Sequence, residues 1–334
     1  MEFRGIELHN IRELIFNPES GGYKMRRMPT RIAEYMSANT FACSGAELRF
    51  VPIDDEVRIK IRKVGGGVSN LAVFYGSVQS GWQNLYKPVG DEACEIVIPK
   101  SKNLETLEKI TADNGFAFSP AVVRLITQSS EYEIFDVVGR CRPPYPSELP
   151  EKTYLAYGSS ITHGSLAMHN ADTYAVRLSE YFGCDYLNLG FAGNACLEAE
   201  VADYIAEECE FDFATLEMGI NLFNKIDVDE FRRRVEYFVS KIAKSHPNKK
   251  IFCIDMFYMS RDIYDIDNPE SKHNLFRGVV KDTVAKLALP NTVYVEGLKI
   301  MNGSRWLSED LTHPNARGVA ELSGNLAKFI ENYI

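Results

Sequence analysis

The first part of the chain is rich in short segments in which apolar and polar residues alternate. In residues 56–62 every second side chain is apolar and the others are charged, which is typical of a half-buried β-strand. The triple glycine at 65–67, followed by the apolar run 70–78, predicts a hairpin turn into a second strand. Further β-rich runs begin near positions 95, 122 and 132. Residues 1–145 are therefore predicted to form a mostly antiparallel, jelly-roll-like β-sandwich domain.

The pattern changes after a proline-rich segment that contains Pro143, Pro144, Pro146 and Pro150. Prolines remove backbone donors and hold a chain extended, so we place the domain boundary there. Short apolar strands then alternate with helical segments, an order that is typical of a parallel sheet with helices on both faces. Residues 150–334 are predicted to be a three-layer α/β domain.

One of the predicted helices can be checked in detail. Asp227 followed by Glu230 fits a capping box at a helix start. The apolar residues that follow fall on one stripe at helical spacing, and the opposite face is charged. The stripe contains Val228, Phe231, Val235, Phe238, Val239 and Ile242.

A serine, Ser160, lies where the first strand of this α/β region ends, in the segment YLAYGSSITHG. A serine becomes a nucleophile only if a base takes its proton and amide donors receive the charge on the substrate oxygen. Three later segments contain suitable groups: Gly193, Asn221, and the pair Asp310 and His313. The carboxyl ends of parallel strands meet at one edge of a sheet, so we expect these groups to lie together.

These segments resemble the four motif blocks of the SGNH, or GDSL-type, hydrolase family, and they occur in the family's order. GSSIT stands where the family has GDSL, with Ser159 in place of its aspartate; FAGN, GIN and DLTH match the other blocks. Many relatives read GxND in the third block, where this chain has Leu222. The N-terminal part resembles, by pattern, the β-sandwich that precedes the catalytic domain in some carbohydrate acetylesterases.

The resemblance implies a role for each matched residue. Ser160 would be the nucleophile, His313 the base, and Asp310 the acid that orients the histidine. The backbone amides of Ser160 and Gly193 and the side-chain amide of Asn221 would bind the oxyanion. A structural interpretation is open beside three of these roles: Ser160 or Asp310 could cap a helix, and Gly193 could serve only a turn.

Other residues are weaker candidates for substrate contacts. His163 and His169 follow the nucleophile closely, and neither has the spacing of a metal ligand. Trp82, with Tyr86, and Trp306 could stack on the face of a sugar, although such aromatics more often belong to a core or a domain interface. Cys196, near Gly193, fits a small buried residue better than a nucleophile.

Composition excludes several other classes of protein. The 334 residues are 45% hydrophobic and 25% charged, and a net charge of -9 without a basic block disfavours nucleic acid and anionic membranes as partners. Seven cysteines without CxxC pairs suit a reducing compartment, and no uninterrupted apolar stretch indicates a signal or a membrane span. We therefore expect a cytoplasmic protein. No HExxH, Walker or dinucleotide motif is present, so we expect no metal and no cofactor.

The leading hypothesis is an esterase that removes a small O-acyl group, acetyl in the first place, from a saccharide or related alcohol. The acyl chemistry follows from the residues, whereas the sugar rests on the resemblance alone. The substrate would be a small-molecule or oligosaccharide ester. Two alternatives stay open: an acyltransferase that uses the same acyl-enzyme, and a carbohydrate-binding protein without activity. The oligomeric state is also open, a homo-oligomer included.

Overall fold

The N-terminal region is built from short strands. A computed structural model describes all 334 residues. Up to Arg142 it contains thirteen strands and two helices: β1 (Glu2–Phe3), β2 (Ile6–His9), β3 (Glu13–Asn17), β4 (Gly22–Arg26), α1 (Thr30–Ala33), β5 (Glu47–Pro52), β6 (Glu56–Val64), β7 (Ser69–Tyr75), β8 (Val78–Gln79), β9 (Tyr86–Val89), β10 (Cys94–Pro99), α2 (Leu104–Asn114), β11 (Val123–Ile126), β12 (Glu131–Val138) and β13 (Cys141–Arg142).

These strands form two antiparallel sheets that face each other. The first has the order β1-β2-β5-β11-β7-β8, with β13 beside β5 and β9 beside β7, and the second has the order β10-β6-β12-β4-β3. Apolar side chains from both sheets meet in one buried core, as in other β-sandwiches. The predicted N-terminal sandwich is confirmed. Core members from the two sheets include Leu48, Phe50, Leu71 and Leu125 on one side and Val57, Ile59, Ile61 and Ile134 on the other.

The predicted hairpin at the triple glycine is wrong. Gly65, Gly66 and Gly67 all have positive φ, as a tight turn at this place requires. The turn joins β6 to β7, however, and these two strands belong to different sheets. Both strands bury apolar side chains in the shared core from opposite sides. Alternation of apolar residues identified the strands but could not say whether they pair or face each other.

The α/β region follows the prolines. Its elements are β14 (Thr153–Gly158), α3 (Ser160–His163), α4 (Tyr174–Tyr181), β15 (Asp185–Gly190), α5 (Ala199–Glu208), β16 (Phe213–Glu217), α6 (Val228–Ser245), β17 (Lys250–Ile254), α7 (Asp262–Asp265), α8 (Lys272–Leu287), β18 (Thr292–Val295), α9 (Gly297–Ile300) and α10 (Ala316–Ile330).

The five strands of this region form one parallel sheet in the order β15-β14-β16-β17-β18. Helices α5, α6 and α8 pack on one face, and α4 and α10 pack on the other, each over its own apolar core. The predicted three-layer fold is confirmed. Strand β14 lies where the strand order reverses, between β15 and β16, and ligands of such sheets bind at this point.

Helix α6 begins where the capping pattern predicts. The side chain of Asp227 accepts a hydrogen bond from the amide of Glu230 at 2.8 Å. The Glu230 carboxylate does not return the bond but accepts one from Arg234 at 2.7 Å, one turn later on the helix. Only half of the capping box is formed, because the carboxylate of Glu230 forms an ion pair with Arg234 on the helix surface instead of binding the amide of Asp227.

Buried polar contacts join the sandwich to the parallel sheet. Arg49 of β5 makes two hydrogen bonds, of 2.6 and 2.7 Å, to the carboxylate of Asp185 at the start of β15. Arg49 also contacts Glu47, which in turn binds Arg124. Each charge in a buried network of this kind needs an opposite charge beside it, because an unpaired buried charge is strongly destabilising. All seven cysteines are free thiols, and no helix is long and apolar enough to cross a membrane.

Candidate active site

Ser160 lies in the turn between β14 and α3, where its hydroxyl can contact neighbouring side chains. The side chain of Ser159 accepts a hydrogen bond from the amide of Ile161 at 3.2 Å and thereby caps α3. The cap is therefore Ser159, and the Ser160 hydroxyl is free for another contact. Ser160 is the first helical residue, so its amide has no partner within the helix. Ser160 is 7% exposed.

His313 connects Ser160 to Asp310. Its Nε2 lies 2.7 Å from the Ser160 Oγ, and its Nδ1 lies 2.7 Å from one carboxylate oxygen of Asp310. In neutral histidine one ring nitrogen donates and the other accepts. With Nδ1–H donating to the carboxylate, Nε2 accepts the serine hydroxyl. This is the arrangement that a base for Ser160 requires.

The loop that holds Asp310 and His313 is itself fixed. The second carboxylate oxygen of Asp310 accepts from the amides of Thr312 and His313, both at 3.0 Å. Partial burial works to raise the pKa of Asp310, but the hydrogen bonds from His313 and Thr312 outweigh it and lower the pKa. Leu311, which follows Asp310, has a positive φ, and its carbonyl accepts a hydrogen bond from the amide of Ser260 at 2.7 Å. The carboxylate therefore stays ionised and aimed at the histidine.

Gly193 lies in a tight turn after β15. The amide of Asn194 donates to the carbonyl of Phe191 at 3.0 Å and closes this turn, in which Gly193 has a φ of 72°. A Cβ added to Gly193 would meet no atom within 4 Å. The backbone conformation, rather than crowding, thus requires glycine here. The Gly193 carbonyl accepts from Lys225 Nζ at 2.9 Å, which further fixes the turn.

Asn221 follows β16 and contacts the same loop. Its side-chain oxygen accepts a hydrogen bond from the amide of Ala195 at 3.0 Å. The side-chain nitrogen of Asn221 makes no hydrogen bond within the protein and is available to donate to a substrate. Because β15, β14 and β16 are neighbours and parallel, the residues that follow them lie at one edge of the sheet.

Ser160 and His313 are therefore in contact, and Gly193 and Asn221 lie in loops at the same edge of the sheet, an arrangement that is compatible with acyl transfer. A model of the GDSL-like lipase/acylhydrolase family matches residues 151–331, more than half of the chain. The chain belongs to this family.

Solved structures share the fold of this GDSL-family protein along its whole length. The salicylyl-acyltransferase SsfX3 from a tetracycline biosynthetic pathway aligns over 99% of this chain and 96% of its own, with a TM-score of 0.76 and 18% identity. A family two carbohydrate esterase from Cellvibrio japonicus aligns over 99% and 95%, with a TM-score of 0.64 and 11% identity. A family two carbohydrate esterase from Clostridium thermocellum, in complex with cellohexaose, aligns over 98% and 98%, with a TM-score of 0.61 and 14% identity. At these identities the likeness is one of fold. No curated protein sequence is significantly similar to the chain.

A buried carboxyl group lies beneath the turn of Ser160 in this GDSL-family protein. Glu217, at the end of β16, accepts hydrogen bonds from the amide of Ser159 at 2.6 Å and from the hydroxyl of Thr162 at 3.2 Å. Its other oxygen is buried without a partner, and burial raises the pKa of the group. A Cβ on Gly158 would lie 2.5 Å from the Glu217 oxygen, so glycine is required at the end of β14. Sequence reasoning missed Glu217, although a charge ending an otherwise apolar strand was a signal.

The two histidines that follow Ser160, His163 and His169, differ in what they can bind. His163 is buried, and its Nδ1 has no partner. Burial, with Arg27 as a further cause, lowers the pKa of His163 to about 3, so its ring is neutral. Both ring nitrogens of His169 are in use: Nε2 lies 2.8 Å from the Asn70 carbonyl oxygen, and Nδ1 accepts from the amide of Ala171 at 3.0 Å. His169 therefore joins the α/β region to the sandwich.

The aromatic candidates lie in different environments. Trp82 is 86% exposed in the turn before β9. Tyr86, at the start of β9, packs its ring against His169 with centroids 5.4 Å apart. Trp306 is half-buried against the apolar core, and the Arg305 guanidinium covers its ring at 4.2 Å. Of these three rings, Trp82 has the most surface free for a ligand.

Cys196, in the loop that contains Gly193, is half-buried. Lys225 Nζ lies 3.8 Å from the sulfur of Cys196. Burial nevertheless raises the pKa of this thiol, so the lysine does not turn it into a thiolate nucleophile at neutral pH.

Proposed function

We propose that this protein is a serine esterase that removes small O-acyl groups, acetyl in the first place, from a saccharide or a related alcohol. The observation that carries the proposal is the unbroken hydrogen-bond chain from Asp310 through His313 to Ser160. The free side-chain nitrogen of Asn221 at the same sheet edge supplies the donor that acyl transfer needs.

In the first half of the reaction the Ser160 Oγ attacks the ester carbonyl carbon. A bond forms between oxygen and carbon while His313 Nε2 takes the hydroxyl proton. The bond to the alcohol oxygen then breaks, and His313 returns the proton to the leaving alcohol. In the second half, the water oxygen attacks the acyl carbon while His313 takes a proton from the water. The bond between that carbon and the Ser160 Oγ then breaks, His313 returns the proton to the Oγ, and the acid leaves.

Negative charge develops on the carbonyl oxygen in both halves. We assign its stabilisation to the backbone amides of Ser160 and Gly193 and to the side-chain nitrogen of Asn221. Donors that are already in place when the charge appears cost no reorganisation. The Ala195 amide holds Asn221 through its oxygen, and Lys225 holds the Gly193 carbonyl, so both donors are fixed before substrate binds.

The saccharide in the proposal has two supports. The fold is shared with family two carbohydrate esterases from Cellvibrio japonicus and Clostridium thermocellum, the second of which was solved with cellohexaose. In this chain Trp82 offers an exposed aromatic face of the kind that packs on apolar sugar faces. We also propose that His163 and Trp306 contact the substrate more weakly. His169 would act through its contact between the α/β region and the sandwich.

An acyltransferase is the second candidate. The structure of a salicylyl-acyltransferase matches nearly all of both chains with a TM-score of 0.76. The same acyl-enzyme serves either outcome, because an acceptor alcohol can take the place of water in the second half. A carbohydrate-binding protein without activity is the third candidate, and the intact hydrogen-bond chain at Ser160 disfavours it.

The test uses acetylated xylo- and cello-oligosaccharides with the intact protein and with Ser160→Ala. Acetate release by the intact protein alone supports the esterase. Acetyl transfer to an added alcohol that exceeds competition with water supports the transferase. Oligosaccharide binding that survives Ser160→Ala, with no turnover of any ester by the intact protein, overturns both in favour of a binding function.

We also infer that the protein works in the cytoplasm. The support is the seven cysteines, none of which forms a disulfide. Fractionation of the source cells, followed by an immunoblot, tests this inference.

A further inference from the structure

Strand β15 is an edge strand, and side chains of the sandwich bind its free edge. It pairs only with β14, so the carbonyl groups on its other side need donors from elsewhere. His9 Nε2 lies 2.6 Å from the Tyr186 carbonyl oxygen, and Asn10 donates to the Asn188 carbonyl at 3.0 Å. Arg27 donates to Asn188 at 2.9 Å and to Gly190 at 3.0 Å. The sandwich thus replaces the strand that would otherwise pair here.

Arg27 is unusual among the donors because it is a buried charge without a carboxylate partner. Its exposed fraction is 0%, and its acceptors are the carbonyls of Ala42, Asn188 and Gly190. The ring of Phe191 lies under the guanidinium at 5.0 Å. Burial lowers the pKa of Arg27 to about 10, so the group stays charged at neutral pH. A buried cation is costly to keep, and a smaller neutral donor could cap one carbonyl. Arginine reaches three carbonyls at once.

The peptide unit that Arg27 binds leads directly into the proposed oxyanion loop. Arg27 holds the carbonyl of the Gly190–Phe191 peptide, and the amide of that same peptide donates to the Gly158 carbonyl at 2.8 Å. Gly158 is two residues before Ser160. The next carbonyl, of Phe191, accepts the bond from Asn194 that closes the turn around Gly193. Arg27, the nucleophile strand and the oxyanion turn are therefore joined by consecutive peptide groups.

The packing at this point leaves little freedom. A Cβ on Gly190 would lie 2.2 Å from the amide nitrogen of His163, so the end of β15 touches the helix that begins with Ser160. Ser44 of the sandwich donates a hydrogen bond to the carbonyl of His163. A shift of the Gly190 carbonyl would move the oxyanion turn relative to Ser160. Errors of about 1 Å in such an arrangement can cost about 100-fold in rate.

We propose that Arg27 is a positioning residue, by which the N-terminal sandwich holds the turn of Gly193 against the nucleophile and so forms a working part of the active site. This inference rests on the proposed acyl-enzyme chemistry. It assigns the sandwich a role in the chemical step, apart from any part that it has in binding a saccharide.

The chain contains a matched control at the other end of the same strand. Arg49 is also fully buried, also comes from the sandwich and also binds β15, but through Asp185, the first residue of the strand. Asp185 and Gly190 are the two ends of β15, so five residue steps, roughly 16 Å, separate them. Replacing either arginine disturbs the junction between the sandwich and the sheet. Only the replacement of Arg27 is expected to disturb the oxyanion turn.

The experiment compares Arg27→Met, Arg27→Lys and Arg49→Lys with the intact protein, after urea unfolding confirms that each is folded. One readout is the rate at which an alkyl fluorophosphonate labels Ser160. In this reaction the Oγ–P bond forms, fluoride leaves and His313 takes the proton, so no knowledge of the natural ester is needed. The other readout is kcat and KM for p-nitrophenyl acetate.

We expect Arg27→Met to slow labelling and to lower kcat by about 10- to 100-fold with KM nearly unchanged. Arg27→Lys should recover part of both, and Arg49→Lys should lower stability while labelling and kcat stay near those of the intact protein. Equal labelling rates in Arg27→Met and Arg49→Lys would overturn the inference. If the intact protein is labelled but turns over no ester, the proposed esterase is overturned. The comparison of labelling rates then still tests whether Arg27 is a positioning residue. An intact protein that is folded but not labelled would overturn both.

Discussion

The amide of Ala195 holds the side-chain oxygen of Asn221 at 3.0 Å, and this single contact orients the only part of Asn221 that can serve a substrate. Since the oxygen is occupied, the nitrogen is the free end of the group. The contact also ties the loop after β15 to the loop after β16, so two proposed oxyanion donors move together.

The contact between Ala195 and Asn221 predicts how the variants Asn221→Ala and Asn221→Asp will differ. Aspartate keeps an oxygen for the Ala195 amide but has no donor for the substrate, whereas alanine removes both. We expect kcat to fall by about 100- to 1000-fold in both variants, as it does when a side-chain oxyanion donor is lost. Only alanine should also loosen the loop. Steady-state kinetics and thermal unfolding of the two variants measure this, and an Asn221→Asp enzyme with full kcat would remove Asn221 from the site.

Asp310→Asn should reduce the rate by disturbing the histidine. An amide at this position can offer an N–H to His313 Nδ1 and favour the wrong tautomer, and it no longer stabilises the protonated ring. We expect kcat to fall by about 100- to 10,000-fold. Glu309→Gln is the control, since it removes the same charge from the exposed neighbouring residue. Steady-state kinetics measure both variants, and equal kcat values would contradict the role of Asp310.

Glu217 is expected to support the nucleophile turn through its hydrogen bond from Ser159. Glu217→Gln retains an acceptor for that amide, and Glu217→Leu does not. The leucine variant should lose about 1–3 kcal/mol of stability, because a buried amide is left without a partner, and its kcat should fall. The glutamine variant should keep most of the activity. Urea unfolding and kinetics provide the measurement; a leucine variant with unchanged kcat would show that the turn holds without Glu217.

Asp255, directly after β17, should make stability depend on pH. Its carboxylate accepts from the amide of Gly297 and the hydroxyl of Tyr294, both at 2.6 Å, yet burial raises its pKa to about 6. The folded state then binds this proton more tightly than the unfolded state, whose pKa is about 3.9. Stability from this group is therefore greatest below pH 4 and is lost as pH rises through 6.

Asp255→Asn tests this directly. The variant should gain stability relative to the intact protein as pH rises from 4 to 7, by an amount on the order of 2 kcal/mol. Free energies of unfolding in urea across this range measure the gain. A difference between the two proteins that is constant from pH 4 to 7 would show that Asp255 keeps an ordinary pKa.

The parts of the fold that sequence predicted best are those with local patterns. The alternation of apolar and charged residues identified β6. The helical spacing of apolar residues, with Asp227 as the cap, identified α6. The order of the motifs placed Ser160 and His313 in one proposed site. Pairing between strands was not a local property, which is why the glycine turn before β7 was assigned to a hairpin.

The residues that sequence missed act over long separations. Arg27 binds Gly190, 163 residues later, and Glu217 binds the amide of Ser159, 58 residues earlier. Nothing near Arg27 in the sequence marks it as buried. The structure also decides a local detail: the cap of α3 is Ser159, the residue that replaces the aspartate of the family motif, and not Ser160.

The proposed mechanism requires that Ser160 carries the acyl group. The most direct measurement mixes the protein with p-nitrophenyl acetate, quenches the reaction in acid within the first turnover and maps the peptides by mass spectrometry. We expect an acetyl group on Ser160 in the intact protein and none on the corresponding peptide of folded Ser160→Ala, which should also lose turnover. Hydrolysis at equal rates by both proteins, or acetyl found on another residue, would contradict it.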